Sequence, residues 1–154
     1  MKLKSTLRVF KETELAPGPG VVKGQSQKQL AGDSDHPTER IIVRLASFEP
    51  GTHEHLHWHM IEVFYYVMSG KGVLKDVEGK TYEMGPGSVI YAPAGIAGAH
   101  SWEVIESLRL LAIRATTDPE RTIQFSVDPE TLKSTLSFEH LEFRGAVNFK
   151  KSLY

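Results

Sequence analysis

Short β-branched and aromatic runs, each closed by a Gly or Pro turn, constrain the fold of this chain more than any other feature. Ile41–Phe48 alternates apolar and polar residues, and Ile61–Ser69 carries Val, Phe, Tyr, Tyr and Val in close succession. Further strands are expected at Gly72–Val77, Thr81–Met84, Ser88–Ala92, Ala99–Ile105, Leu108–Ala115 and Arg121–Val127. Turn signals separate them at Ser69-Gly70, Glu78-Gly79, Gly85-Pro86-Gly87 and Pro93-Ala94-Gly95. Many short strands at regular spacing predict an all-β sandwich or barrel. Residues 16–39 are rich in Gly, Pro, Ser, Gln and Asp and read as an irregular arm with one short strand around Val21–Gln27. Asp128-Pro129-Glu130 reads as an N-cap with Pro at N1, opening a short helix to about Leu136. The expected organisation is therefore an N-terminal arm (1–40), a β-barrel (41–127) and a C-terminal extension with a short helix (128–154).

Within this frame, His53, His55, His57 and His59 occupy every second position of the run from Gly51 to His59. In an extended strand, alternate side chains share a face, so all four imidazoles are expected to project together. Imidazole is costly to bury without a partner. A row of such groups suits a divalent first-row metal. The chain contains no cysteine, so its own donors to a metal are nitrogen and oxygen.

The spacing around these histidines resembles the two motifs of the cupin superfamily. The first is a Gly, five residues, His-x-His, three or four residues, Glu, six residues and Gly. Gly51, His57-Trp58-His59 and Gly70 match it. The second is a Gly, five residues, Pro-x-Gly, two residues and His. Gly87, Pro93 and Gly95 match it, and His100 arrives two residues late. The resemblance covers roughly residues 41–115 and implies a double-stranded β-helix, the jelly-roll β-barrel. It also implies a mononuclear site with His57, His59 and His100 as ligands to one divalent transition metal per chain. Fe(II) is favoured, with Mn, Ni or Zn as alternatives.

The departure lies at the glutamate, because the motif position falls on Val63. Glu62 is one residue away and by strict alternation faces away from His57 and His59. Either a β-bulge turns Glu62 inward, giving three histidines and one glutamate, or three histidines hold the ion alone. Tyr65, on the inward face, and His55, toward the pocket mouth, are candidates for moving a proton. His53 is expected at an exposed strand end, and His36 and His140 at the surface.

The activity implied is a non-haem Fe(II) dioxygenase acting on a small dicarbonyl or hydroxy-aromatic compound. A metal-assisted lyase, isomerase or decarboxylase and a non-catalytic small-molecule-binding protein are the alternatives. Leu56-His-Trp-His59 also resembles the corresponding run of oxalate decarboxylases, although Val63 departs from their acid.

The net charge of -1 gives no electrostatic case for nucleic acid or an anionic membrane as a partner. The basic N-terminal stretch lacks the apolar core of a signal peptide, and no apolar run approaches a membrane span, so a cytoplasmic location is the default expectation. Trp58, Glu62, Phe64, Tyr66 and Met68 fall on the outward face. A strand apolar on both faces needs a cover on both, from the arm, the C-terminal segment or a second copy. A homodimer is expected.

Overall fold

The computed structural model describes residues 2–137 and His140. Its ten strands are β1 (Gly18–Pro19), β2 (Gln25–Ala31), β3 (Ile42–Phe48), β4 (His53–His59), β5 (Val63–Asp76), β6 (Thr81–Met84), β7 (Val89–Ala92), β8 (His100–Arg114), β9 (Gln124–Val127) and β10 (Ser134–Leu136). They form one antiparallel sheet that runs β1-β2-β3-β8-β4-β9-β10, with β5 branching from β8 to pair β6 and β7. The chain is all-β, and the sheet curls into the jelly-roll barrel. Among the described residues, no helix is long and apolar enough to cross a membrane.

Two long strands hold the barrel together. The first half of β8 pairs β4 on one side and residues 71–76 of β5 on the other. Its second half pairs β3 and residues 63–69 of β5. Sequence patterning divides each of these strands in two, at Ser69-Gly70 and near Glu106-Ser107, where the structure has bends inside continuous strands. Gly70 explains the first bend. Its φ is 93°, and a Cβ there would lie 2.0 Å from the Ser107 carbonyl oxygen, so only glycine permits this approach of β5 to β8. The buried residues of β8 share one parity, His100, Trp102 and Val104 before the bend and Leu108, Leu110, Ala112 and Arg114 after it, with the series interrupted at the exposed Glu106. Opposite them Val63, Tyr65 and Val67 of β5 complete the core.

Both flanking segments add strands. β2 begins four residues after the start of the strand expected at Val21–Gln27 and pairs β3 along its length. Glu12 ties the arm down, with Oε2 2.6 Å from Lys28 Nζ and Oε1 3.1 Å from Arg109 Nη2. The helix expected from Asp128 to Leu136 is absent. Asp128 does accept from the backbone N–H groups of Glu130 and Thr131 at 2.8 and 2.9 Å, as an N-cap would. One turn later Leu132 adopts φ 56°, which ends any helix. The chain then returns as β10 against β9. The rest of the C-terminal extension lies outside the described residues, apart from His140.

Candidate metal centre

The histidine strand breaks its own alternation. On β4, Glu54 faces Trp102 of β8 and His57 faces His100. Three steps along β4 therefore match two along β8, and the extra residue is a bulge at His55–Leu56. The bulge inverts the pattern of burial: His53 and His55 are exposed, whereas Glu54, His57 and His59 are buried. The expectation that four imidazoles share a face is corrected accordingly. Burying all four would cost their solvation, and the bulge releases two of them.

His57, His59 and His100 converge inside the barrel. Each offers one ring nitrogen, and the three donor atoms all lie within 4.8 Å of one another. Their relative exposures are only 2–3%. His57 Nδ1–H donates to the His55 carbonyl at 2.7 Å and His100 Nδ1–H to the Gly98 carbonyl at 2.9 Å. A carbonyl only accepts, so each Nδ1 carries the proton and each Nε2 keeps its lone pair. Nε2 of His59 and Nε2 of His100 are buried without a hydrogen-bond partner. Burial also keeps His59 and His100 neutral. It is the largest influence on His59, whose pKa lies well below the ordinary range, with Arg114, His57, His100 and His140 adding to the effect. His100 is pushed down to about 3, mainly by burial and then by His57. Three converging imidazoles, two of them fixed by backbone carbonyls, are a donor set that fits a divalent transition metal.

Of the two readings of Glu62, the structure has the one that strict alternation gives, and it adds a second acid that the motif spacing does not foresee. Glu62 is exposed and its Oε2 accepts from the Tyr91 hydroxyl at 2.7 Å, so it does not turn inward. Parity holds at this point and the bulge lies upstream. A different carboxylate enters the interior. Glu54 is 7% exposed, its Oε1 lies 3.7 Å from His57 Nε2, and it accepts from Gln124 Nε2 at 2.9 Å. The site is therefore not poor in acid. No simple spacing rule would have found Glu54, because its inward orientation depends on the bulge.

His55 contributes its carbonyl to the site, and its imidazole faces outward. With His53, whose ring centroid is 5.1 Å away, it lines a separate surface cavity of about 520 Å³ alongside Lys23, Gly24 and Thr52. Tyr65 does face inward. Its ring packs 5.7 Å from that of His100 and 5.2 Å from that of Trp102. Burial raises its pKa, so it remains a phenol. His36 is half-buried, its ring 4.3 Å from that of Phe10. The surface expectation for His140 is overturned: it is 1% exposed and near enough to His59 to influence its charge. Arg114 and Trp102 are interior residues that motif spacing missed, although alternation from His100 makes Trp102 readable and alternation from Leu108 makes Arg114 readable. A cavity of about 420 Å³ lined by Leu74, Met84, Ile90, Ala92 and His100, among others, reaches His100 from the β6–β7 side. Its size suits a small molecule.

On the outer face, Trp58 stacks on Phe125 at 4.3 Å and donates to Ser134 Oγ at 2.8 Å, so β9 and β10 cover it. Phe64, Tyr66 and Met68 remain 37–43% exposed.

Residues 44–114 match the family model described as cupin domain, so this stretch of the chain carries the likeness to cupins. No curated protein sequence matches it significantly. Among solved structures, the polyketide cyclase RemF from Streptomyces resistomycificus is similar, at 22% identity and a TM-score of 0.62, over 71% of this chain and 80% of that one. KdgF from Halomonas sp. is similar at 22% identity and a TM-score of 0.59, over 70% and 94%. Lactobacillus farciminis oxalate decarboxylase in its formate complex gives 18% identity and a TM-score of 0.58, over 75% of this chain but 35% of that one. Likeness at these identities establishes the fold alone.

Proposed function

We propose that this chain is a metal-dependent cupin enzyme in which His57, His59 and His100 hold one divalent transition metal. The carrying observation is the convergence of three buried imidazoles whose donor atoms lie within 4.8 Å of one another. Fe(II) is the favoured ion, and the favoured reaction is dioxygenolytic cleavage of a small dicarbonyl or hydroxy-aromatic compound. Both oxygen atoms enter the cleaved substrate, so the reaction balances without an outside reductant. The metal supplies Lewis acidity and, as Fe(II), the electron-transfer chemistry toward dioxygen that no side chain of this protein provides.

The protein's own residues supply the surroundings. His55 and Gly98 carbonyls aim His57 and His100. Trp102, 5% exposed, walls the site and excludes water. Tyr65 stays protonated and donates a hydrogen bond toward a substrate oxygen. Glu54, steadied by Gln124, accepts a proton beside His57. This last placement favours a second reading, non-redox lyase or isomerase chemistry with Glu54 as the base. A non-catalytic binding protein is the third.

Oxygen-electrode measurements on Fe(II)-loaded protein with a panel of β-dicarbonyls and catechols test the first reading, with oxygen uptake matched one-to-one to product as the expected result. Product formed equally under argon would replace it with the second reading. Tight ligand binding without turnover in either atmosphere would leave only the third.

A further inference from the structure

Arg114 is a buried cation without a counter-ion among the described residues. It ends the inward-facing row of β8 that begins with His100, and it is 7% exposed. Its Nε and Nη1 atoms are buried without a hydrogen-bond partner. The other charged side chain buried in the described interior is Glu54, whose carboxylate is engaged by Gln124 and lies beside His57; no ion pair joins it to Arg114. The guanidinium nevertheless acts on the centre: its charge influences His59, Tyr65 and His100.

Burying an ionised group without a partner is strongly unfavourable, and guanidinium cannot escape by losing its proton. A folded chain that keeps such a group inside its barrel therefore leaves a place for an anion. The fork of N–H donors on a guanidinium is planar and matches the two oxygens of a carboxylate.

We propose that Arg114 is the substrate-anchoring residue of this site and that the substrate is a small carboxylate. Its carboxylate rests on the guanidinium, and its reacting carbonyl or hydroxyl oxygen is directed to the ion that the Nε2 atoms of the triad would hold. This rests on the metal-enzyme reading for the role of the triad, whereas the carboxylate site itself requires only Arg114. The anchor fixes one end of the substrate, so the reacting end is oriented without covalent attachment.

The test uses isothermal titration calorimetry with pyruvate, its neutral amide pyruvamide and inorganic phosphate, on metal-free and Zn-loaded protein. Metal content is measured in every sample. Metal-free wild type is expected to bind pyruvate at least 10-fold more tightly than either pyruvamide or phosphate. Arg114→Gln is expected to lose that preference, and Arg114→Lys to keep only part of it, since lysine retains the charge without the fork. Wild type that binds pyruvate and pyruvamide equally overturns the proposal, with no variant needed. Phosphate binding as tight as pyruvate overturns the assignment to carboxylates. Full anion preference in a folded Arg114→Gln variant overturns the assignment to Arg114. Failure to take up zinc would instead count against the metal reading and leave the carboxylate result standing on the metal-free arm.

Discussion

Replacing His59 with leucine should stabilise the metal-free protein while abolishing its response to metal. His59 is 2% exposed and its Nε2 has no hydrogen-bond partner. A buried polar group left unsatisfied costs about 1–3 kcal/mol, and an apolar side chain of similar size removes that cost. For a domain of this length each kcal/mol corresponds to about 2–4 °C in Tm. Metal-free His59→Leu is therefore expected to melt roughly 2–12 °C above wild type by the same conversion. Added metal at 100 times its Kd stabilises wild type by about 2.7 kcal/mol through mass action, and the variant has lost a ligand. The order of stability should narrow or reverse when metal is added. Differential scanning fluorimetry with and without Zn(II), checked by urea unfolding, measures both arms. A metal-free variant that melts below wild type, or one that gains as much from zinc as wild type does, would refute the reasoning. Either result would mean that His59 is satisfied in the fold and is not held open for an ion.

Three further outcomes are expected. The folded pKa values of His59 and His100 are depressed, His100 to about 3, whereas an unfolded histidine titrates near 6.5. Their contribution to stability is thus fully present above about pH 6.5 and is lost as pH falls toward 3, because the unfolded chain takes up these protons first. Each ring should contribute a slope of about 1.4 kcal/mol per pH unit in that window, so the urea midpoint of metal-free protein should be flat from pH 7 to 8 and fall steeply below 6.5. A midpoint unchanged at pH 5 would contradict this. Glu62→Gln should leave metal content unchanged, since Glu62 is bonded to Tyr91 on the exterior; loss of metal in that variant would restore Glu62 to the site. The exposed patch of Phe64, Tyr66 and Met68, continued by Val89 and Tyr91 on the adjacent strand, should pair two copies of the chain, so light scattering should give a dimer for wild type and a monomer for Tyr66→Glu. A monomeric wild type would remove that expectation.

The parts of the fold that depend on local signals were legible in the sequence. Alternation and Gly/Pro turns place most strands, and the resemblance to the two cupin motifs implies His57, His59 and His100, of which His100 arrives two residues late in its motif. What eluded the sequence depends on register. The bulge at His55–Leu56 becomes visible only once β4 is laid against β8, and it alone decides that Glu54 faces in while His53 and His55 face out. Treating β8 as two strands hid the parity that His100 shares with Arg114. Asp128 shows the opposite failure, in which a genuine capping geometry forms but the left-handed turn at Leu132 and pairing with β9 override the helix. His140 was unreadable because nothing in its local sequence reports its approach to His59.

The most direct test of the central claim is metal content after purified protein is incubated in turn with Fe(II), Mn(II), Ni(II) and Zn(II) and then desalted. The account predicts one ion per chain with at least one of these metals, and none in a folded His57→Ala/His100→Ala variant. Wild type that emerges free of metal from all four incubations, or a variant that retains as much as wild type, would contradict it.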